Sequence, residues 1–227
     1  MRIHIVKDSA INKRLENIVE PLEKNDLLDL GSGMDTGKVL RLDIDKNTNP
    51  DFHMDLRAFC GIAPYDKDLD RYCDVRLLDR QFNAIRAIHF LEHIEWIYQE
   101  TILSQLKTML IGEGCLFIEV PSLRYIIDMY NKQIDGKLLK GKLSSFPDGE
   151  YTFSDSDPMN IYKWLNFKIF SGCSPGDNHK CLYDIYSLHY ALEKIGFEHI
   201  ILSNESTIKC LAFTAKSVDY LDIKFGR

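Results

Sequence analysis

The sequence predicts an α/β fold: a mostly parallel sheet with an antiparallel C-terminal edge strand and a lid-like insertion, in a single domain over residues 1–227. Three observations carry the prediction. Short apolar runs bounded by turn residues (Leu27–Leu30, Val39–Ile44, Phe82–Ile88, Cys115–Val120) read as strands buried on both faces, the habit of parallel sheets. Between them lie stretches with apolar residues three and four apart, and strand–helix alternation is the pattern of a parallel sheet covered by helices. The third is the turn Gly31-Ser-Gly33, placed directly after the first of these strands.

In chain order, Arg2–Val6 alternates weakly and reads as a short strand or an irregular lead-in. Ser9 suits a helix N-cap, with Asn12 where a capping-box acid would stand. Ile11, Leu15, Ile18, Val19 and Leu22 then mark an amphipathic helix that Pro21 bends or ends. Only Ser32–Lys38 separates Gly31 from Val39, too little for the usual helical crossover, so a missing or reduced helix is expected there. Asn47–Pro50 is a turn and Phe52–Leu56 a short strand. Residues 57–81 are polar, with a candidate helix at Leu69–Leu78. Helical spacing runs from Ile97 to Leu110, and Gly112-Glu-Gly114 is expected to close that helix with a left-handed cap. Leu123–Asn131 is helical and opens the lid-like segment 123–178, rich in Gly, Ser, Asp and aromatics. Its aromatics, Tyr151 to Phe170, suit a lid core better than a substrate platform. Tyr186–Ile195, closed by Gly196, is the last helix, and His199–Leu202 with Cys210–Ala215 makes a final strand pair around Asn204-Glu-Ser206.

Composition narrows the function classes. The 227 residues are 45% apolar and 27% charged, an ordinary globular balance. A net charge of −6 provides no basic field for a nucleic-acid backbone. The six cysteines are scattered with no C-x-x-C pair, which fits free thiols in a reducing cytosol rather than a structural zinc site. Residues 1–20 are studded with charge, so no signal sequence is expected at the start, and no uncharged apolar run approaches membrane-spanning length. A soluble cytoplasmic protein with a small-molecule substrate is expected, with its oligomeric state open.

The glycine turn carries the functional reading. A Gly-x-Gly after a strand serves equally as a ligand loop or a plain turn. A dinucleotide fingerprint requires G-x-G-x-x-G, a helix, and an acid about 20 residues on. Here position 36 is Thr, Gly37 comes late and Asp43 arrives too early, which disfavours NAD. Gly37-Lys38 lacks the following Ser or Thr of a Walker loop. An acid at the end of the second strand is placed to take a ribose diol.

Asp29-Leu-Gly-Ser-Gly33 followed by Leu42-Asp-Ile-Asp45 resembles the class I SAM-dependent methyltransferases, a Rossmann-like fold, and within them a small bacterial and phage-type (type 11-like) subgroup with a short first loop. The remaining signposts recur in order: Phe52–Arg57, Ile88–Ile94, Gly112–Ser122, and His179–Asp184 before Gly196-Phe197. The resemblance spans roughly residues 26–200 and implies S-adenosylmethionine (SAM) as cofactor. By position it assigns Gly31, Ser32 and Gly33 to the methionine part and Asp29 to its ammonium. Asp43, with Ile44, falls at the ribose hydroxyls, and Asp55 with the Leu56 backbone at the adenine edge. His89 and Glu92 would face the sulfonium and the acceptor, and His179 would close over the site from the insertion side. Loop amides from Ser32 to Thr36, or Lys38, would meet the cofactor's carboxylate. The plainer readings are a solvated strand end for Asp43 and Asp45, an Asx turn for Asp55, and a surface-loop histidine for His179.

His89-Phe-Leu-Glu-His93 also spells the H-x-x-E-H string of zinc hydrolases. That chemistry needs both histidines on one helical face, whereas His89 falls at a strand end. Glu92 suits a helix-start acid and His93 a structural hydrogen bond. No metal is expected. The candidate catalytic residues are thus His89, Glu92 and His179, and the first reading is a methyltransferase of unidentified acceptor, by O- or N-methylation. A non-catalytic SAM- or nucleotide-binding protein is the alternative, with a zinc hydrolase third.

Overall fold

The computed structural model describes residues 3–31, 39–60, 77, 79–134, 142–143, 151–152, 169–170 and 178–215. Its elements are β1 (His4–Ile5), α1 (Asp8–Val19), β2 (Leu27–Leu30), β3 (Leu40–Asp43), β4 (Phe52–His53), β5 (Phe82–Ile88), α2 (Trp96–Thr108) and β6 (Leu110–Pro121). They continue with α3 (Leu123–Ile134), the two-residue strands β7 (Lys142–Leu143) and β8 (Tyr151–Thr152), α4 (Ile185–Ile195), β9 (His199–Asn204) and β10 (Thr207–Phe213).

One eight-stranded sheet runs in the order β1-β9-β10-β6-β5-β2-β3-β4. Its β6–β10 and β9–β10 pairs are antiparallel and the rest are parallel, so β10 alone runs against the others. The antiparallel strand expected at the C-terminal edge therefore lies inside the sheet. Beyond it come β9 and then β1, which pairs in parallel through His4↔Ile201 and Ile5↔Leu202. Strand β1 lies within Arg2–Val6, where a short strand is one of the two readings the weak alternation allows. Strands β7 and β8 pair with each other in a separate small sheet; the other residues of the segment expected as a lid, beyond α3, 169–170 and 178, lie outside the described residues.

Both faces of the sheet are covered, as the apolar runs require. Leu28, Leu30, Ile85, Ile118 and Leu202 pack with Leu103 and Leu106 of α2 and Leu188 and Leu192 of α4. Leu27, Phe117, Ile201 and Leu211 point the other way, against Ile11 and Ile18 of α1. The two-residue period of a strand sends Leu27 and Leu28 to opposite cores. Strand β2 pairs in parallel with β3 from Leu28↔Leu40, with only residues 31–39 between them. Residues 32–38, where a reduced helix is expected, lie outside the described residues, as does most of Leu69–Leu78.

Several local expectations change. Helix α1 is capped by Lys7, with no side-chain cap bond, and Ser9 sits inside its first turn. Gly112 and Gly114 do not close α2. Its C-cap is Met109 in ordinary right-handed geometry, and both glycines lie within β6. The register shifts between Phe82 and Ala84 of the partner strand, so the glycines occupy a distorted stretch where β6 enters the sheet. Strand β4 is shorter than expected, giving way at Leu56–Cys60 to a 3-10 turn. Gly196 does close α4, at φ 92°.

Candidate functional site

Strands β2, β3, β4 and β5 point the same way, and their carboxyl ends converge on a cavity of about 610 Å³. That is the place where open α/β sheets bind ligands, and the size suits a small molecule. Each strand hands one chain turn to the cavity wall: Gly31 after β2, Asp43 and Ile44 ending β3, Asp55 and Leu56 after β4, and His89 after β5.

The turns are shaped for this. Gly31 has φ 64°, and a Cβ there would come within 2.9 Å of the Phe90 ring. Only glycine meets both demands without strain. Asp43 is 8% exposed, and its Oδ1 accepts the Asp45 amide at 2.8 Å, which fixes the carboxylate at the strand end. Asp45 caps the following 3-10 turn by accepting the Asn47 amide. Asp55 is gripped by Arg57: Nε and Nη2 donate to Oδ2 at 2.9 and 2.6 Å, and the Arg57 amide donates to Oδ1 at 2.9 Å. That partner holds the Arg57 guanidinium above its ordinary pKa. The Asx-turn reading of Asp55 and its place in the cavity wall are therefore both present in one residue.

His89 is the strained member. Its φ is 48°, a left-handed value uncommon outside glycine, while its amide donates to the Glu119 carbonyl at 2.9 Å. The imidazole is half exposed, and Nδ1 lies 3.1 Å from Oε1 of Glu92, which is fully buried. Glu92 sits in the 3-10 turn Leu91–His93, beneath the cavity rather than in its wall. Among the described residues its Oε2 has no hydrogen-bond partner.

The structure gathers Gly31, Asp43, Ile44, Asp55, Leu56 and His89 around one cavity. Ser32 and Gly33 lie outside the described residues. Asp29 is not in the cavity wall: Nε and Nη2 of Arg86 donate to its two oxygens at 2.9 and 2.7 Å, on the sheet face beside α1. Asp29 and Arg86 are register partners on β2 and β5, a cross-strand pairing no linear motif displays. His179 is also off the cavity, its ring set edgewise against His93 at 5.1 Å. The structural hydrogen bond expected of His93 is not made at Nδ1, which is buried without a partner.

Arg57, Lys180 and Glu95 line the cavity too and were not singled out in the sequence. Arg57 was within reach, two residues past Asp55 in the same motif. Lys180 was not, because it arrives from a distant segment whose amide donates to the Glu92 carbonyl at 2.6 Å.

No family model matches the chain, and no curated protein does. Among solved structures it is similar to a candidate O-methyltransferase from Nostoc punctiforme, at 12% identity and a TM-score of 0.44, over 90% of this chain and 56% of that one. It is also similar to a protein of Bordetella parapertussis described as a possible exported protein, at 13% identity and TM-score 0.47, over 90% of this chain and 66% of that one. A SAM-dependent methyltransferase from Archaeoglobus fulgidus is similar at 15% identity and TM-score 0.41, over 90% of this chain and 91% of that one. The chain thus spans just over half to two thirds of the length of the first two. All three TM-scores lie below 0.5, so function is argued below from the residues of the site and their order in the chain.

Proposed function

We propose that the chain is a SAM-dependent methyltransferase acting on a small-molecule acceptor. The observation that carries this reading is the cavity at the carboxyl ends of β2–β5, which brings together Gly31, Asp43, Asp55 and His89. That is the order in which the resembling family's motifs run along the chain.

The residues fit the cofactor. Beside the Gly31 turn a Cβ would be blocked, so the backbone stays bare for the methionine part. Asp43, held by the Asp45 amide at the end of β3, supplies a carboxylate, the group that takes a ribose diol. Asp55 and Leu56 line the cavity, which supports giving them the adenine edge, with Arg57 keeping the Asp55 carboxylate in place. When bound, SAM supplies a methyl group on a sulfonium, a carbon already activated for in-line displacement.

What remains for the protein is alignment, exclusion of water and, for a hydroxyl acceptor, a proton acceptor. His89 is the candidate base. Glu92 orients its ring through Nδ1, and the imidazole would take the acceptor's proton. The strained backbone at His89 is what turns the ring out of the strand end toward the cavity. An amine acceptor would need only to arrive neutral and aimed.

Calorimetry with SAM and S-adenosylhomocysteine tests the reading. The wild-type chain is expected to bind both. Asp43→Ala is expected to lose about 3 kcal/mol of binding, a factor of roughly 100 in affinity, since two charge-assisted bonds disappear. No binding by the wild type refutes the reading, and unchanged affinity in Asp43→Ala removes that residue from the site.

A further inference from the structure

Glu92, which orients His89, belongs also to a cluster beside the cavity whose other members, His93 and His179, take no part in the methyl-transfer reading. Glu92, His93 and His179 bring one oxygen and two ring nitrogens within 4.8 Å of one another. Glu92 is fully buried, yet among the described residues its Oε2 has no hydrogen-bond partner, and neither does the buried Nδ1 of His93. An unpartnered buried carboxylate oxygen loses its hydration with nothing in return, and here an imidazole nitrogen is left bare beside it. Two such omissions in one place need an explanation.

The surroundings hold the three residues in position. The Gln99 amide nitrogen donates to the carbonyls of Leu91 and Ile94 at 3.3 and 2.9 Å, bracing the short turn that carries Glu92 and His93. The Glu92 carbonyl in turn accepts the amides of Lys180 and Cys181 at 2.6 and 3.2 Å. His179 is therefore held beside His93 by backbone bonds of its neighbours, with the two rings 5.1 Å apart. Sites built this way fix their ligands by a supporting shell.

We infer that Glu92, His93 and His179 form a binding site for a first-row divalent cation of the zinc type. One carboxylate and two imidazoles make a three-ligand protein set that leaves coordination positions open. Donors around a tetrahedral ion stand about 3.4 Å apart, so small side-chain adjustments bring the three donors, already within 4.8 Å of one another, into place. Oε1 of Glu92 keeps its bond to His89 while Oε2 takes the ion. His93 also belongs to the cavity wall, which places the ion beside the cavity. The site differs from the H-x-x-E-H arrangement, because His89 is not one of its donors.

The inference stands independently of cofactor binding, because the metal is counted directly. The whole chain, free of any histidine tag, is stripped with a chelator, reloaded with Zn²⁺ or Co²⁺, and analysed for metal content and for competition with a chromophoric chelator. One equivalent of Zn²⁺ is expected, and Co²⁺ should show the visible bands of a low-coordinate nitrogen–oxygen site. His179→Ala should weaken Zn²⁺ binding more than about 100-fold with an unchanged circular dichroism spectrum, and His93→Ala and Glu92→Gln should do the same. Glu92 is buried, so should its variant fail to fold, His179→Ala decides the matter, being in a partly exposed segment. Less than stoichiometric Zn²⁺ in the wild type, or Zn²⁺ held as tightly by His179→Ala, overturns the inference.

Discussion

The two halves of the sheet solve different problems. In the half made by β6, β10, β9 and β1, the long antiparallel registers run unbroken from Thr207↔Pro121 to Phe213↔Cys115 and from Ile208↔Asn204 to Phe213↔His199. Ile118, Leu202, Cys210 and Leu211 are fully buried there. In the half made by β5, β2, β3 and β4, the strands are all parallel, and this half with its turns carries every buried carboxylate among the described residues: Asp29, Asp43, Asp55 and Glu92. The left-handed turns at Gly31, Asn49 and His89 belong to this half too. Charge burial and strain cost stability, and the apolar half offsets them. Parallel strands end together at one edge, so only that half can assemble a site from several turns.

The comparison predicts that changes in the apolar half act on stability alone. Leu211→Ala is expected to lose about 2–5 kcal/mol in denaturant unfolding, while the folded fraction binds SAM as the wild type does. A change in affinity would mean that the halves are coupled.

Asp29→Ala separates structure from site within the other half. It leaves the Arg86 guanidinium on the sheet face without its bidentate partner, at an expected cost of roughly 2 kcal/mol, and cofactor affinity should not move. Lost affinity at unchanged stability would instead restore the ammonium contact that the resemblance implies.

At His89 the strain itself can be measured. His89→Gly and His89→Ala both remove the bond to Glu92, so their difference reports the backbone. The glycine variant should be more stable by about 1 kcal/mol, or melt about 2–4 °C higher. Equal melting temperatures would show that φ 48° is not strained.

The smallest effect is a pH dependence in the apolar half. Burial, together with the neighbouring His4 and Arg14, lowers the His199 imidazole below its ordinary pKa of 6.5. The unfolded chain then binds the proton more readily than the folded one, so stability falls as pH drops below about 6.5, reaching its full loss under the folded-state pKa. A modest decline of melting temperature across that window is expected in the wild type and should flatten in His199→Gln. Identical profiles would mean that another group titrates there.

The sequence was legible wherever the signal is local. Leu27–Leu30 and Phe82–Ile88 stand where their apolar runs place them, and Gly196 closes α4 because a left-handed cap leaves its mark in one residue. The Gly112–Gly114 reading failed because a glycine pair after a helix looks the same whether it caps the helix or loosens a strand entry. The site was partly legible for the same reason. Asp43 ends β3, Asp55 and His89 follow β4 and β5, and each reaches the cavity. Asp29 ends none and is taken by Arg86 across the sheet.

By itself, then, the sequence determined the α/β alternation, the strand ends that build the cavity, and the motif order that points to a SAM-type cofactor, all properties of adjacent residues. The tertiary structure decided the rest. It put β10 inside the sheet with β1 at its edge, gave Asp29 to Arg86, carried Lys180 into the cavity wall, and set His179 against the orphaned polar atoms of Glu92 and His93. Those pairings join residues tens of positions apart, and packing and burial choose such partners only once the chain has folded.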